Sequence, residues 1–473
     1  VRLAGSVAAG RASPWHRRQR MCLNSVPGTV LYMKQKGNIF SKNTLKIAIP
    51  LIISNITIPL VGFVDNVMMG HLGSMVYLGA IGVGSIIISY ILFSFGFIKS
   101  LTTGFVSQHT GSSNTQELLL SLSHLLLISS FISFLIILFR DQIIIFSLNF
   151  MNASSEVNIN SKIYLDYRIW SIPAIFLRDI LIGYYIGVQK IKAAIIISIT
   201  VNLLNIILDY YFIYILNYSI EGVAIASLIS EYSVVFFILY AIKNENIFKN
   251  TNLKIHEIFD WLMIKNKVLV NMNMFLRSFI LMTIFIYFMK VGASYGDSIL
   301  AANAILLNFF FLFSYGIDGF AHSSEVLVGN SIGKKNNVLL KQSIYSTGKF
   351  SVILASIYLI IFNVFDLSIL QFVTNLEVIH TIVLSNITYL YLIFISATVA
   401  FWLDGVFIGS LKVTLLRNIM IISGILFFFV ETILLQGNND NLWVSFLVFF
   451  TARSMLLGIA LHYHMKNNRF ITI

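Results

Sequence analysis

Two predicted helices in the first half of the chain carry oxygen-bearing side chains that could together bind a small cation. Asn205 and Asp209 are four residues apart, so both face the same side of one helix. Asp65 on an earlier helix and Ser227 on the following helix would complete a set of hard oxygen ligands. Two carboxylates in a dry pocket do not both stay ionised, so the pair is expected to bind either a proton or Na⁺.

Further polar residues fall inside long apolar runs, where an ionisable group costs at least about 2.5 kcal/mol. In the first half these are Asn55, Asn202 and Glu231. A bend in the helix that carries Asp65 is expected from Pro50, Pro59 and Gly62. The second half has its own charged set, which consists of Arg277, Asp318, Glu325, Asp404 and Glu431. The alternative is that each acid has a structural hydrogen bond and that Arg277 pairs with one of the acids.

The residues give little support for an enzymatic reaction or a metal site. The chain has one cysteine, Cys22, and no pairing of a nucleophile with a base, so we expect neither an enzyme nor a metal site. No cofactor is expected beyond the small cation itself, H⁺ or Na⁺. The side chains of four basic residues are long enough to reach the membrane interface, and we expect them to be interface or packing residues: Lys99, Arg168, Arg178 and Arg453.

The elements that must position these residues are membrane helices. The chain is 57% hydrophobic and 11% charged, with a mean hydropathy of +0.84. Runs of about 20 apolar residues, enough to cross about 30 Å of hydrocarbon, recur along it. Twelve helices are predicted, at 45–70, 77–108, 117–139, 162–187, 192–215, 220–242, 268–290, 297–329, 343–364, 380–410, 412–436 and 441–465.

An internal repeat divides these helices into two sets of six. With a shift of 222 residues and no gap, Gly70 falls on Gly292 and Leu181–Gly187 falls on Leu403–Gly409. We therefore predict an all-α integral membrane protein with two six-helix bundles, related by a pseudo-two-fold axis along the membrane normal. Under this shift Asp209 falls on Glu431, whereas Asp65 falls on Tyr287, so the two bundles are expected to differ in chemistry.

The net charge of +12 indicates topology rather than nucleic-acid binding. Eighteen lysines and arginines of the loops and ends fall on one side of the predicted membrane, and only Arg140, Lys162 and Lys290 on the other. Both termini are therefore expected to be cytoplasmic, in a multi-pass protein of the cytoplasmic (inner) membrane. The expected partners are membrane lipid and small organic molecules, and we expect a monomer.

The expected division of the chain follows from this pattern. Residues 1–32 differ in composition from the rest, and Met33 opens a Met-Lys-Gln-Lys sequence, so we expect 1–32 to precede the natural start; a genuine tail is the alternative. Residues 33–242 form the first bundle, 243–267 a cytoplasmic linker and 268–473 the second bundle.

Taken in order, several segments resemble the MATE family of multidrug and toxic-compound extrusion transporters, in its DinF-like branch. These segments are 49–59, 62–72, Thr102-Thr103-Gly104, 202–209, Asp318-Gly319-Phe320 and 403–409. The resemblance covers about 40–470. It implies export of lipophilic, often cationic compounds driven by inward H⁺ or Na⁺, with a cation site at Asp65, Asn205, Asp209 and Ser227. Ser227 stands where the branch usually has Thr.

We therefore predict a cation-coupled antiporter that works by alternating access. Protonation or Na⁺ binding at Asp65 and Asp209 would let the first helix rearrange and expel the substrate. The main alternative is a flippase for lipid-linked precursors or polysaccharides, which would have a strongly cationic cavity or more helices. A membrane enzyme acting on lipid and a channel are less well supported by the residues.

Overall fold

The structure, a computed structural model, describes residues 41–56, 75–151, 154–244, 254–374, 376–434 and 437–471. All regular structure in these ranges is helical. Eleven of the helices are long and apolar enough to cross a membrane. We number the helix at 41–56 as α1 and these eleven, in chain order, as α2 to α12.

The bounds of the helices in the first half are as follows. Helix α2 consists of Met75–Phe95 and Phe97–Gly111, α3 of Thr115–Leu138, α4 of Ser155–Arg168 and Ile172–Gly187, α5 of Ile191–Tyr210 and α6 of Ile220–Tyr232 and Val234–Asn244. A 3₁₀ turn, Ile169–Ser171, joins the two parts of α4, and a π-helical turn, Tyr211–Ile215, extends α5.

The second half is more regular. Helix α7 is Trp261–Ser294, α8 is Asp297–Gly333, α9 is Asn337–Val373, α10 is Glu377–Gly409, α11 is Val413–Phe429 and α12 is Asn439–Lys466. A π-helical turn, Val430–Leu434, extends α11. Two shorter helices, Arg140–Met151 and Ile255–Ile258, lie outside this series.

Where the structure describes them, the predicted helices agree with these elements except near polar segments; residues 57–70 of the first predicted helix lie outside the described ranges. Helix α4 begins at Ser155 rather than 162, because its first turns are too polar to stand out by hydropathy. Helix α7 begins at Trp261, inside the stretch expected to be a linker, where the Asp260 carboxylate accepts the backbone N–H groups of Leu262 and Met263 at 2.8 and 3.1 Å. The Arg140–Met151 helix was not predicted.

The repeat is visible in the backbone as well as in the sequence. The turn between α2 and α3 places Ser113 at φ 57°, and the turn between α8 and α9 places Lys335 at φ 51°. The next residue in each turn is an asparagine, Asn114 or Asn336, whose side chain caps the following helix. These pairs are 222 positions apart, so the duplicated unit keeps its turn geometry although the turn residues differ.

The helices of the described ranges pack as two groups, which meet mainly where α2 packs against α8. Helices α2 to α6 pack on one another to form the N-terminal bundle, and α7 to α12 form the C-terminal bundle. The core of the C-terminal bundle is rich in aromatic rings, for example Phe313 stacked on Phe394 at a centroid distance of 4.1 Å. Such contacts fix the relative positions of the helices that carry buried charge.

The bundles meet where α2 ends against α8 and α10, and there the contact is between backbones. A Cβ atom on Gly333 would lie 2.0 Å from the carbonyl oxygen of Gln108, and one on Gly111 would lie 2.3 Å from that of Asn330. The side-chain amide of Gln108 also donates to the carbonyl of Gly409 at 2.8 Å. We call this region the glycine contact; it holds one end of the two bundles together.

Helix α1 touches the C-terminal bundle on another face. The hydroxyls of Thr44 and Ser346 are 2.8 Å apart, and a Cβ on Gly319 of α8 would lie 2.3 Å from Cγ1 of Ile52. Ile47 and Leu51 share a hydrophobic cluster with residues of both bundles. Helix α1 therefore lies between the bundles, and it is helical throughout 41–56, including Pro50.

Candidate functional site

Three of the four residues predicted to bind a cation come together in the N-terminal bundle. The side-chain amide of Asn205 on α5 donates to the hydroxyl of Ser227 on α6 at 3.3 Å. Asp209 is one helical turn from Asn205 on the same buried face, and it is 0% exposed. Asp65, like Pro59 and Gly62, lies outside the described residues.

The matching place in the C-terminal bundle keeps the acid but not its polar neighbours. Phe427 and Phe449 stand where the repeat places Asn205 and Ser227, and their ring centroids are 6.5 Å apart. Tyr287, the counterpart of Asp65, packs its ring against Phe427 at 5.9 Å. Glu431 is buried and accepts a hydrogen bond from Ser445 at 3.0 Å. A carboxylate and a hydroxyl thus recur on α11 and α12, in Glu431 and Ser445, but Phe427 takes the position of the amide that Asn205 supplies on α5.

Both acids lie at a departure from α-helical geometry. Asp209 precedes the π-helical turn Tyr211–Ile215 by two residues, and Glu431 lies inside the π-helical turn Val430–Leu434. Single π turns within α-helices frequently mark functional sites, because they change the register of the helix and loosen its hydrogen bonding. This feature was not predicted from the sequence.

A cavity of about 290 Å³ is lined by α1, α2, α4, α5 and α6, together with His322 of α8. Asn55, Asn202 and Glu231, which were predicted as further polar residues of this bundle, all line it. Glu231 is not a free acid, because it lies 2.5 Å from the guanidinium of Arg178. The guanidinium also lies 3.6 Å from Asp179.

Arg178, which was predicted to be an interface or packing residue, therefore packs inside the bundle and does not reach the interface. Arg178 turns inward because two carboxylates of its own bundle compensate its charge there. Asn55 on α1 instead contacts the C-terminal bundle: its side-chain amide lies 3.5 Å from the carbonyl oxygen of Tyr315 on α8.

In the C-terminal bundle one carboxylate lies between two arginines. Asp404 on α10 pairs with Arg277 on α7 and with Arg453 on α12. Arg453 is only 1% exposed, and Asp404 is 4% exposed. Of the two positions predicted for Arg453, interface or packing, the structure therefore shows packing inside the bundle, as for Arg178. The alternative prediction, that Arg277 pairs with one of the acids of this bundle, agrees with the contact between Arg277 and Asp404.

Asp318 and Glu325 project from the same side of α8, as their seven-residue spacing predicted, and both line a second cavity. Glu325 is buried and lies 3.0 Å from Nδ1 of His322. This cavity has a volume of about 420 Å³ and is walled by α2 on one side and by α7, α8 and α10 on the other, so both bundles contribute to it. Arg277 and Asp404 also line it.

The two cavities adjoin, because Ser89, Lys99 and His322 line both. Asp179 and His322 were not predicted as site residues, and Lys99 was predicted to be an interface or packing residue. One signal was available for Lys99: it falls well inside the predicted helix 77–108, where a lysine needs a polar partner or a cavity. Asp179, next to Arg178, offered a similar signal on α4.

These features are those of a multi-pass membrane protein built for transport: paired helical bundles, adjoining interior cavities with charged walls, and a buried set of oxygen ligands. Comparison with known proteins is consistent with this class. The MatE family model matches residues 50–211 and again residues 273–434. The chain therefore belongs to the MatE family, and the two successive matches correspond to the two copies of the repeat. Members of this family are transporters, not enzymes.

Individual relatives cover most of the chain. The chain is 29% identical to DNA damage-inducible protein F of Escherichia coli over 428 residues, which is 89% of this chain and 92% of that protein. It is 25% identical to the multidrug resistance protein NorM of Vibrio cholerae, over 63% of this chain and 65% of that protein. A crystal structure of MATE in the bent conformation has a similar fold, with a TM-score of 0.79 at 16% identity, and covers 91% of this chain and 98% of its own.

Proposed function

We propose that this transporter is a cation-coupled antiporter that exports lipophilic, often cationic compounds by alternating access. The observation that carries the proposal is the unequal chemistry of the two bundles. Asn205, Asp209 and Ser227 offer amide, carboxylate and hydroxyl oxygens in one buried place, whereas the repeat puts Phe427 and Phe449 at the matching positions. Buried oxygen ligands of this kind suit a proton or Na⁺.

Asp65 is proposed as the fourth member of the cation site. Its counterpart in the repeat, Tyr287, packs against Phe427, which is the counterpart of Asn205. If the duplicated bundles share their helix packing, the position of Asp65 corresponds to one beside Asn205. A carboxylate there would bring two acids to the site, and binding of one cation would then remove most of their mutual repulsion.

Alternating access is proposed to use the twelve helices as two six-helix bundles related by an axis along the membrane normal. The two family matches and the repeated turns at Ser113 and Lys335 support this arrangement. With both termini cytoplasmic, the glycine contact would close the cytoplasmic end of the cavities. Opening that end and closing the other would carry the substrate across the inner membrane.

Coupling requires that the cation and the substrate stabilise different states of the transporter. The cavity lined by Glu231 and Asn202 has walls on the same helices as the cation site, α5 and α6. Cation binding at Asp209 would therefore act on the walls of a substrate cavity through a short path. We propose that the monomer is the transporting unit and that no cofactor takes part.

The flippase alternative predicted a strongly cationic central cavity. The cavity between the bundles instead has charges of both signs, including Asp318 and Glu325 on one helix. This composition favours small amphipathic substrates over polyanionic lipid-linked precursors.

The test is dye efflux from proteoliposomes, with a proton gradient and a sodium gradient imposed separately. We expect Asp209→Asn and Asp65→Asn to abolish gradient-driven export of a cationic dye. The matched control is Glu431→Gln, which neutralises the counterpart acid in the other bundle and should leave coupling in place. Export by Asp65→Asn at the wild-type rate, or an equal loss for Glu431→Gln and Asp209→Asn, would disprove the proposal.

A further inference from the structure

A groove on the lipid-facing surface of the N-terminal bundle is separate from both interior cavities. It has a volume of about 250 Å³, is lined by α3 and the second part of α4, and shares no lining residue with either cavity. Ser130 and Phe134 on its rim are exposed, whereas Ser133 and Phe176 in its floor are buried. The groove therefore opens toward the hydrocarbon that surrounds a membrane helix.

The walls of this groove suit hydrocarbon. The hydroxyl of Ser133 donates to the carbonyl oxygen of Ser129 at 2.8 Å, so it is satisfied within α3 and asks nothing of an occupant. The remaining walls include the apolar side chains of Ile137, Pro173 and Leu177. A flexible apolar chain can fill such a space without leaving a polar group unpaired.

One end of the groove carries a positive charge. Arg140 follows the lining residue Ile137 by three positions, and Trp170 precedes the lining residue Pro173 by three. The two side chains meet, with the guanidinium carbon of Arg140 5.6 Å from the centroid of the Trp170 ring. Both are partly exposed. Tryptophan beside arginine at a helix end is typical of the depth of the lipid headgroups.

The guanidinium of Arg140 has donors to offer a headgroup. Its Nε lies 3.4 Å from Oδ1 of Asp141, an exposed carboxylate, and this contact leaves the two terminal nitrogens for another ligand. A guanidinium can bind two oxygens of one phosphate at once, which makes arginine well suited to phosphate. The groove thus joins an apolar channel to a phosphate-binding group.

The repeat shows that this combination is particular to the N-terminal bundle. A shift of 222 positions places Arg140 on Phe362 and Trp170 on Leu392. Phe362 is buried and packs its ring against Phe394 at 5.8 Å and Phe309 at 5.2 Å. The counterpart of the arginine is therefore part of an aromatic core. The charged end of the groove is not a property of the duplicated unit as such.

We propose that this groove binds one phospholipid, with an acyl chain between α3 and α4 and the phosphate on the guanidinium of Arg140. The lipid would lie in the leaflet away from the glycine contact. Because Leu177 immediately precedes Arg178, the acyl chain packs against the part of α4 that carries the ion pair with Glu231. The inference does not depend on the proposed antiport.

Two measurements on the purified full-length protein test the site. The protein is delipidated in detergent and mixed with palmitoyl-oleoyl-phosphatidylglycerol, and native mass spectrometry counts the lipid molecules that stay bound. The same phospholipid with a diazirine on one acyl chain is then cross-linked to the protein by light. Peptide mapping of the products reports where the chain lies.

We expect one phospholipid to bind more tightly than any other, and we expect its label on 129–137 and 173–177. Arg140→Gln should weaken this binding about tenfold or more, the effect of losing a charge-assisted hydrogen bond, and Arg140→Lys should retain part of it. Ser130→Phe puts a ring in the mouth of the groove at an exposed position, so it should remove the label from both segments. Lys162→Gln, at an exposed lysine in the first part of α4, is the matched control and should behave as the wild type.

Several outcomes would overturn the inference. Equal binding and labelling in Arg140→Gln and the wild type would mean annular contact only. An equal loss in Lys162→Gln and Arg140→Gln would mean general attraction of the lipid to positive charge. Labels spread evenly over the lipid-facing helices would also contradict a defined site. An unchanged melting temperature of the delipidated variants shows that a loss of binding does not come from unfolding.

Discussion

The carboxylate of Asp404, held between Arg277 and Arg453, gives a stability prediction whose size follows from burial. Asp404→Asn keeps the volume of the side chain but removes its charge, and it leaves two guanidinium groups in a poorly solvated place without compensation. Arg453 is 1% exposed and cannot turn to water without disrupting α12. Breaking a buried ion pair from one side typically costs about 3–5 kcal/mol, and we expect a loss of unfolding free energy in this range.

The same geometry predicts the ranking of related variants. Arg453→Met leaves Asp404 paired with Arg277, so it should cost less than Asp404→Asn, about 1.5–3 kcal/mol for the lost charge-assisted hydrogen bond. The double variant Asp404→Asn/Arg453→Met removes one of the two uncompensated charges, and it should therefore be more stable than Asp404→Asn alone.

Reversible unfolding of the purified protein in mixed micelles, followed by tryptophan fluorescence, measures these differences. Glu377→Gln at the exposed start of α10 is the control for loss of an acid from the same helix. The reasoning fails if Asp404→Asn stays within about 1 kcal/mol of the wild type, or if the double variant is the least stable of the three.

Two other perturbations address the contact between the bundles and the cation site. Gly333→Ala places a methyl group 2.0 Å from the carbonyl oxygen of Gln108, so it should shift the population toward the state in which this end of the bundles is open. The shift is measured as a longer distance between spin labels on α2 and α8. Gly82→Ala is the control and should leave this distance unchanged, because a Cβ atom there meets open space. Ser227→Ala removes the hydroxyl that accepts a hydrogen bond from Asn205, so it should weaken the affinity for the coupling ion about tenfold. Ser227→Thr retains a hydroxyl and should retain this affinity. The affinity is measured as the ion gradient needed for half-maximal dye export.

Each of these two predictions has an outcome that would contradict it. An unchanged distance distribution in Gly333→Ala would mean that the glycine contact adapts without opening. Equal behaviour of Ser227→Ala and Ser227→Thr would mean that the hydroxyl is not a ligand, whatever the level of transport.

The helices and the repeat could be predicted from the sequence because both depend on local pattern. Apolar runs and the shift of 222 positions gave the correct order of the elements, and the error at α4 arose where Ser155–Arg168 is polar. Part of the candidate site followed as well: Asn205 and Asp209 share a helix face by spacing alone, and Ser227 lies on the next helix along the chain. Such short-range rules need no knowledge of the three-dimensional packing.

The buried ion pairs could not be predicted in this way. Arg178 pairs with Glu231 and Arg453 pairs with Asp404, across about 50 positions in each case and on helices that are not consecutive. A long basic side chain in an apolar run satisfies the same sequence pattern whether it reaches the membrane surface or pairs inside the bundle. Which of these occurs depends on the rotation of each helix about its axis, which is set by packing against several other helices at once.

The glycine contact has a consequence for the rate of transport. Where two surfaces meet through interdigitated side chains, separating them requires many side chains to find new rotamers together. Here main chain lies close to main chain at Gly111 and Gly333, and two hydrogen bonds run from the side chains of Gln108 and Ser107 to the carbonyl groups of Gly409 and Glu325. Few side chains would therefore have to change rotamer when this end opens, and we expect the activation barrier for separating the bundles there to be small.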